Sequence, residues 1–241
     1  MANPTFVAIT QDTTGPSGNP PAAIPGITSG DLIHAVLVST GTITDPVSGY
    51  TTKSTFQDPN SGIWIWYGVR VSTGSDSFNP TYAGTGALYT WAYHGVDGTT
   101  PHEEPSPNGT LWQGTSASVS TPNITPTVND SVLESIFIEG SGPQSVTTPP
   151  AGWTQILDNS AGGGRVAVFR LPLTGQGGTP QTGPTLVWSG VGYGPAYISA
   201  IRPPGGAAAQ VTSINGIATS AITAIDGIAK TSISARNGKT I

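Results

Sequence analysis

The chain has no cysteine, so it holds no disulfide framework, no thiol nucleophile and no thiolate metal site. Charge is scarce as well: 9% of residues are Asp, Glu, Lys or Arg, against roughly a quarter in an ordinary soluble domain. Solubility then rests on hydroxyls, amides and backbone, a surface that suits an assembly or an extracellular particle. Three histidines leave a short inventory of bases and metal ligands. No apolar run approaches the roughly 20 residues needed to span a membrane, so membrane insertion is not expected. The opening Met-Ala-Asn-Pro-Thr-Phe lacks the basic segment and apolar stretch of a secretory signal, and the expectation is synthesis in the cytoplasm of the producing cell. No segment combines the length and 3.6-residue period of an amphipathic helix.

What is abundant is turn chemistry. Gly 33 and Pro 22, with Ser and Thr filling most polar positions, punctuate the sequence throughout. Between the turns lie strand-length apolar runs at 5–10, 32–39, 63–71, 87–94, 132–138, 165–173, 185–189 and 196–201, each read as a β-strand. Several are continuously apolar, as in Leu32-Ile33-His34-Ala35-Val36-Leu37-Val38, which is expected of a strand covered on both faces. The fold class predicted is all-β, an antiparallel, jelly-roll-like sandwich with a C-terminal β-hairpin repeat tail.

A weak internal duplication organises the body. Gly30-Asp31-Leu32-Ile33 answers to Asn129-Asp130-Ser131-Val132-Leu133, Gly49-Tyr50-Thr51 to Gly152-Trp153-Thr154, and Val69-Arg70-Val71-Ser72-Thr73-Gly74 to Phe169-Arg170-Leu171-Pro172-Leu173-Thr174-Gly175. The expectation is one sandwich over residues 1–204, built from pseudo-repeated halves at about 28–95 and 128–204, because each half is small for an independent core. Gly98–Gln113 is the crossover, and residues 205–210 are a linker.

The tail, residues 211–241, repeats every 11 residues. Ile214-Asn215-Gly216-Ile217, Ile225-Asp226-Gly227-Ile228 and Arg236-Asn237-Gly238-Lys239 are in register, with Val211, Ile222 and Ile233 at the same spacing. Asn-Gly and Asp-Gly between strand formers signal a two-residue hairpin turn, whose central residues both need positive φ. Strands of nine residues would run over 217–225 and 228–236. Their apolar area is too small to hold a lone two- or three-stranded sheet in water, so the tail should need a partner surface. The assembly residues are Ile214, Asn215, Gly216, Ile217, Ile222, Ile225, Asp226, Gly227, Ile228, Ile233, Asn237 and Gly238.

Candidate chemistry is thin. His34, inside an apolar strand, reads as a satisfied core residue. His94 and His102 with Glu103 and Glu104 have cation-ligand types without the spacing of a known metal motif, and the expectation is a polar loop with no metal and no cofactor. No G-x-S-x-G elbow is present, the carboxylate pairs Glu134 with Glu139 and Glu103 with Glu104 look unforced for glycoside hydrolysis, and Gly162-Gly163-Gly164 reads as a hairpin tip. The protein is expected not to be an enzyme. Trp64 and Trp66, two apart on one strand, would share a sheet face opposite Tyr67. If exposed, they would offer a platform for a surface glycan, which makes a carbohydrate-binding module or adhesin the alternative reading. Residues 1–210 carry 5 basic and 12 acidic side chains, while 211–241 carry Lys230, Arg236 and Lys239 against Asp226. An acidic body argues against nucleic acid as a partner.

The body pattern of Gly-Asp-Leu-Ile before an apolar strand, Gly-Tyr-Thr or Gly-Trp-Thr, and Tyr-His-Gly-Val-Asp before a Pro-containing loop resembles a β-sandwich family of bacteriophage virion genes and some bacterial surface proteins. The Ile-Asn-Gly-Ile and Ile-Asp-Gly-Ile tail resembles the short repeats that end phage tail, fibre or head-associated proteins. The resemblance implies a virion structural protein made in the host cytoplasm and exposed on the particle. Its partners would be further copies of itself, for instance in a trimer, or a phage capsid or tail protein. The third repeat departs from the pattern, since Arg236 and Lys239 replace the flanking isoleucines, and would cap the array or meet an acidic surface.

Overall fold

The structure is a computed structural model, and it describes residues 2–12, 24–45, 49–74, 76, 80–106, 109–114, 116–140, 144–161, 163–205, 213–214, 217–218, 224–225 and 228–229. The chain divides into a body, Met1–Pro204, and a tail, Gly205–Ile241. Every regular element among the described residues is a β-strand.

The first half of the body contributes β1 (Thr5–Asp12), β2 (Leu32–Ser39), β3 (Ile43–Asp45), β4 (Thr51–Gln57), β5 (Trp64–Val71), β6 (Thr81–Tyr82) and β7 (Gly86–His94). The crossover holds β8 (His102–Glu103), β9 (Thr110–Gln113) and β10 (Ser118–Ser120). The second half contributes β11 (Val132–Glu139), β12 (Val146–Thr148), β13 (Thr154–Ala161), β14 (Gly164–Pro172), β15 (Thr185–Trp188) and β16 (Tyr193–Ile201).

The two main sheets have the same order. One runs β1-β7-β2-β5-β4 and the other β13-β14-β11-β16-β8, with β9 also on β16. The path β7-β2-β5-β4 is therefore repeated as β16-β11-β14-β13, and the small pair β3 with β6 is answered by β12 with β15. Register repeats too: Leu32 stands between Val71 and Tyr93, and Val132 between Pro172 and Ile201. Each half keeps its main strands in one sheet, whereas a jelly roll wraps two Greek keys across both.

Turn conformation is repeated with the strands. Gly49 and Gly152 both adopt φ 82° just before β4 and β13, and Gly30 at φ 94° is matched by Asp130 at φ 60°. Asp130 is the only described non-glycine residue with positive φ.

Strand parity explains the continuous apolar runs. Leu32, Val36 and Val38 of β2 enter a cluster shared with Val132, Ile136 and Ile138 of β11, so the two sheets pack face to face. Ile33, Ala35 and Leu37 point the other way, into a second cluster closed by Ile24 and Tyr82. The outer face of the second sheet is covered by the β10-β15-β12 sheet, where Trp188 stacks on Trp112 with centroids 5.9 Å apart and Leu186 meets Phe137 and Phe169. Both main sheets are thus buried on two faces, and alternation of polar and apolar residues is lost in their central strands.

In the tail, β17 (Ser213–Ile214) pairs antiparallel with β18 (Ile217–Ala218), and β19 (Ala224–Ile225) with β20 (Ile228–Ala229).

Candidate functional site

In the tail, Ile214 pairs with Ile217 and Ile225 with Ile228. Each pair leaves two residues for the connection, Asn215-Gly216 or Asp226-Gly227, which is the length of a tight hairpin loop. The two hairpins repeat at the 11-residue spacing of the sequence. The remaining expected assembly residues, Asn215, Gly216, Ile222, Asp226, Gly227, Ile233, Asn237 and Gly238, lie outside the described residues, as do most of 217–225 and 228–236.

The body holds a second constellation, a chain of polar side chains from the centre of the sandwich to the crossover. His34 on β2 and Glu134 on β11 are each the third residue of matching strands, and both side chains are 0% exposed. His34 Nδ1 lies 2.9 Å from Glu134 Oε1. On the other carboxylate oxygen, Trp91 Nε1 donates at 2.6 Å and Tyr93 Oη at 2.8 Å. Tyr67 Oη stands 3.1 Å from His34 Nδ1 and 3.2 Å from His102 Nε2. His102 Nδ1 is 3.1 Å from Glu104 Oε1, and that oxygen is 3.0 Å from Lys53 Nζ on β4.

Protonation states follow from burial and neighbours. Burial alone would raise the Glu134 carboxyl, but the facing His34 and the bonds from Tyr93 and Trp91 outweigh it and hold the group below the usual carboxylate range. Burial, reinforced by the Glu134 charge, pushes the Tyr67 and Tyr93 phenols far up, so both keep their protons. Burial lowers His102, only partly offset by Glu104. Glu104 ends below its ordinary value because His102 and Lys53 outweigh its desolvation.

His102 and Glu104 also line a cleft of about 610 Å³ between the crossover and the segment around Ile124. Glu103, on its wall, accepts from the Thr127 backbone N–H at 2.9 Å and from the Thr127 hydroxyl, and faces Arg202 Nε at 3.2 Å. Arg202 Nη1 donates to Thr100 Oγ1 at 2.7 Å.

No family model, curated protein or solved structure matches this chain.

The structure separates several residues that the sequence grouped. His94 turns to Asp31, Nδ1 to Oδ1 at 2.5 Å, away from His102, and among the described residues no three or more His, Asp or Glu form a group that could hold a metal ion. Glu134 and Glu139 are five apart on one strand and point to opposite faces. Ala161 pairs with Gly164, which closes the β13–β14 hairpin. Trp66 is 1% exposed and packed in the outer cluster of the first sheet, where its Nε1 donates to Thr52 Oγ1 at 3.0 Å and its ring meets Tyr50 edge-on. Trp64 is half-buried. Trp66 has no ring face open to a sugar, so the pair forms no exposed platform: the outer face of the first sheet is covered.

The buried chain itself escaped sequence reading. Its one sequence signal is the 100-residue offset of the halves, which sets His34 against Glu134 as equivalent positions.

Proposed function

We propose that the protein is a structural component of a bacteriophage virion, a capsid decoration, head-fibre or tail-associated protein that assembles through its C-terminal repeats. The observation that carries this reading is the pair of tandem hairpins, Ile214 on Ile217 and Ile225 on Ile228. Two-stranded elements of this size are at best marginal alone in water, and stacking of repeats on other copies supplies the missing cover.

The edges of the body support the same division of labour. An open edge is a template for another chain, and bulges blunt it. β1 shifts register between Phe6 and Ile9, β4 between Thr52 and Ser54, and β13 between Gln155 and Leu157. The fourth edge is broken into β8 and β9. Strand pairing between copies is discouraged in the body and left to the tail.

The test is a Gly216→Val, Gly227→Val variant, since a β-branched residue cannot adopt the positive φ of the second turn position without strain. The variant is expected to keep the body's cooperative unfolding and lose association by analytical ultracentrifugation. Association equal to that of the parent chain would refute the hairpin account.

A further inference from the structure

The cleft beside His102 has polar walls fixed in advance. Glu103 is held by Thr127 and Arg202, Glu104 by Lys53 and His102, and His102 by Tyr67 and, through it, the His34–Glu134 centre. A buried charged pair adds little net stability over a well-packed apolar pair, so the chain is better explained by what it orients than by what it stabilises. Groups locked before a ligand arrives bind without the cost of being ordered.

The cleft's charges are already matched. Glu103 faces Arg202, Glu104 faces Lys53, and His102 is held towards its neutral form by burial. An ionic ligand would have to displace an existing partner, so charge does not select the occupant. What the cleft offers is a dense set of hydrogen-bonding groups: the Glu104 carboxylate, the Arg202 guanidinium, the exposed hydroxyls of Ser106 and Thr125, and the exposed amide of Asn123. Pro105, half-buried, adds an apolar surface. The volume falls within the roughly 300–1,000 Å³ of small-ligand sites.

We propose that this cleft binds a neutral glycan segment, with ring hydroxyls on the Glu104, Arg202 and Asn123 side and a C–H face on Pro105. Sugar hydroxyls donate and accept at once, which suits a site that presents carboxylate acceptors beside guanidinium donors. The site does not depend on tail assembly, and loss of one leaves the other measurable.

The full chain is screened on an array of neutral and sialylated oligosaccharides, and the best neutral binder is titrated by calorimetry. Two variants test the cleft: Ser106→Trp, which fills it from an exposed position, and Arg202→Lys, which keeps the charge and removes the fork. Urea midpoints check that both fold. Saturable binding should weaken about tenfold or more in each, in keeping with loss of a charge-assisted hydrogen bond, and be unchanged in Trp64→Ala. The proposal is overturned if no neutral oligosaccharide binds, if only sialylated ones bind, or if binding survives both cleft variants.

Discussion

His34 and Glu134 carry a large single-residue consequence in the body. Removing one partner of a fully buried pair leaves an uncompensated charge or an orphaned set of donors, a loss of about 3–5 kcal/mol. Glu134→Leu also strands the Trp91 and Tyr93 donors that now reach its carboxylate. We expect His34→Leu and Glu134→Leu each to fall in that range by urea denaturation. The double variant should lose clearly less than the sum of the two, because contacting residues couple. Additive losses would show that the two side chains do not act as a pair. Asp130 is a smaller case. At φ 60° a side chain costs about 1–2 kcal/mol unless it is compensated locally, and Asp130 Oδ1 accepts from the Gly175 N–H at 3.1 Å. Asp130→Ala removes the bond and keeps the strain, so it should lower the urea midpoint. Asp130→Gly, which removes both, should sit near the parent.

Among the elements, the buried strands were legible in the sequence and the polar ones were not. β2, β5, β7, β11, β14 and β16 coincide with apolar runs to within a few residues, because burial on both faces left them largely uninterrupted hydrophobic stretches. β4, Thr-Thr-Lys-Ser-Thr-Phe-Gln, and β13, Thr-Gln-Ile-Leu-Asp-Asn-Ser-Ala, are edge strands that stay mostly half-buried or exposed. Their hydroxyl-rich sequences have the composition of loops, and only β-propensity of Thr and the preceding Gly49 and Gly152 mark them. The polar chain was illegible for a related reason: its members come from β2, β4, β5, β7, β11 and the crossover, and no local pattern connects them.

That chain makes the packing of the two sheets sensitive to acid. His102 titrates below its ordinary value of 6.5 in the folded state, so the unfolded chain binds more protons just below that pH, and stability falls as the medium is acidified through it. Glu134 and Glu104 are held below their ordinary 4.5, and their contribution is lost further down, as pH falls through their folded values. Both trends run the same way. Thermal midpoints should therefore drop progressively from pH 7 to pH 4, with the earlier part of the drop reduced in His102→Gln. A midpoint that is flat or rises over that interval would contradict the assignment.

At the scale of the whole molecule, the duplication builds a sandwich whose sheets are covered on both faces and blunted at their edges, while charge is kept to 9% of the chain. Such a body gives little purchase for strand addition. The basic residues of 211–241 stand against an acidic 1–210, so any electrostatic share in association should weaken with salt. The most direct test of the account is the mass in solution, by multi-angle light scattering, of the full chain beside a chain ending at Gly205. The account predicts a defined multiple of the chain mass for the first and a folded single copy for the second. Equal states of association in the two would contradict it.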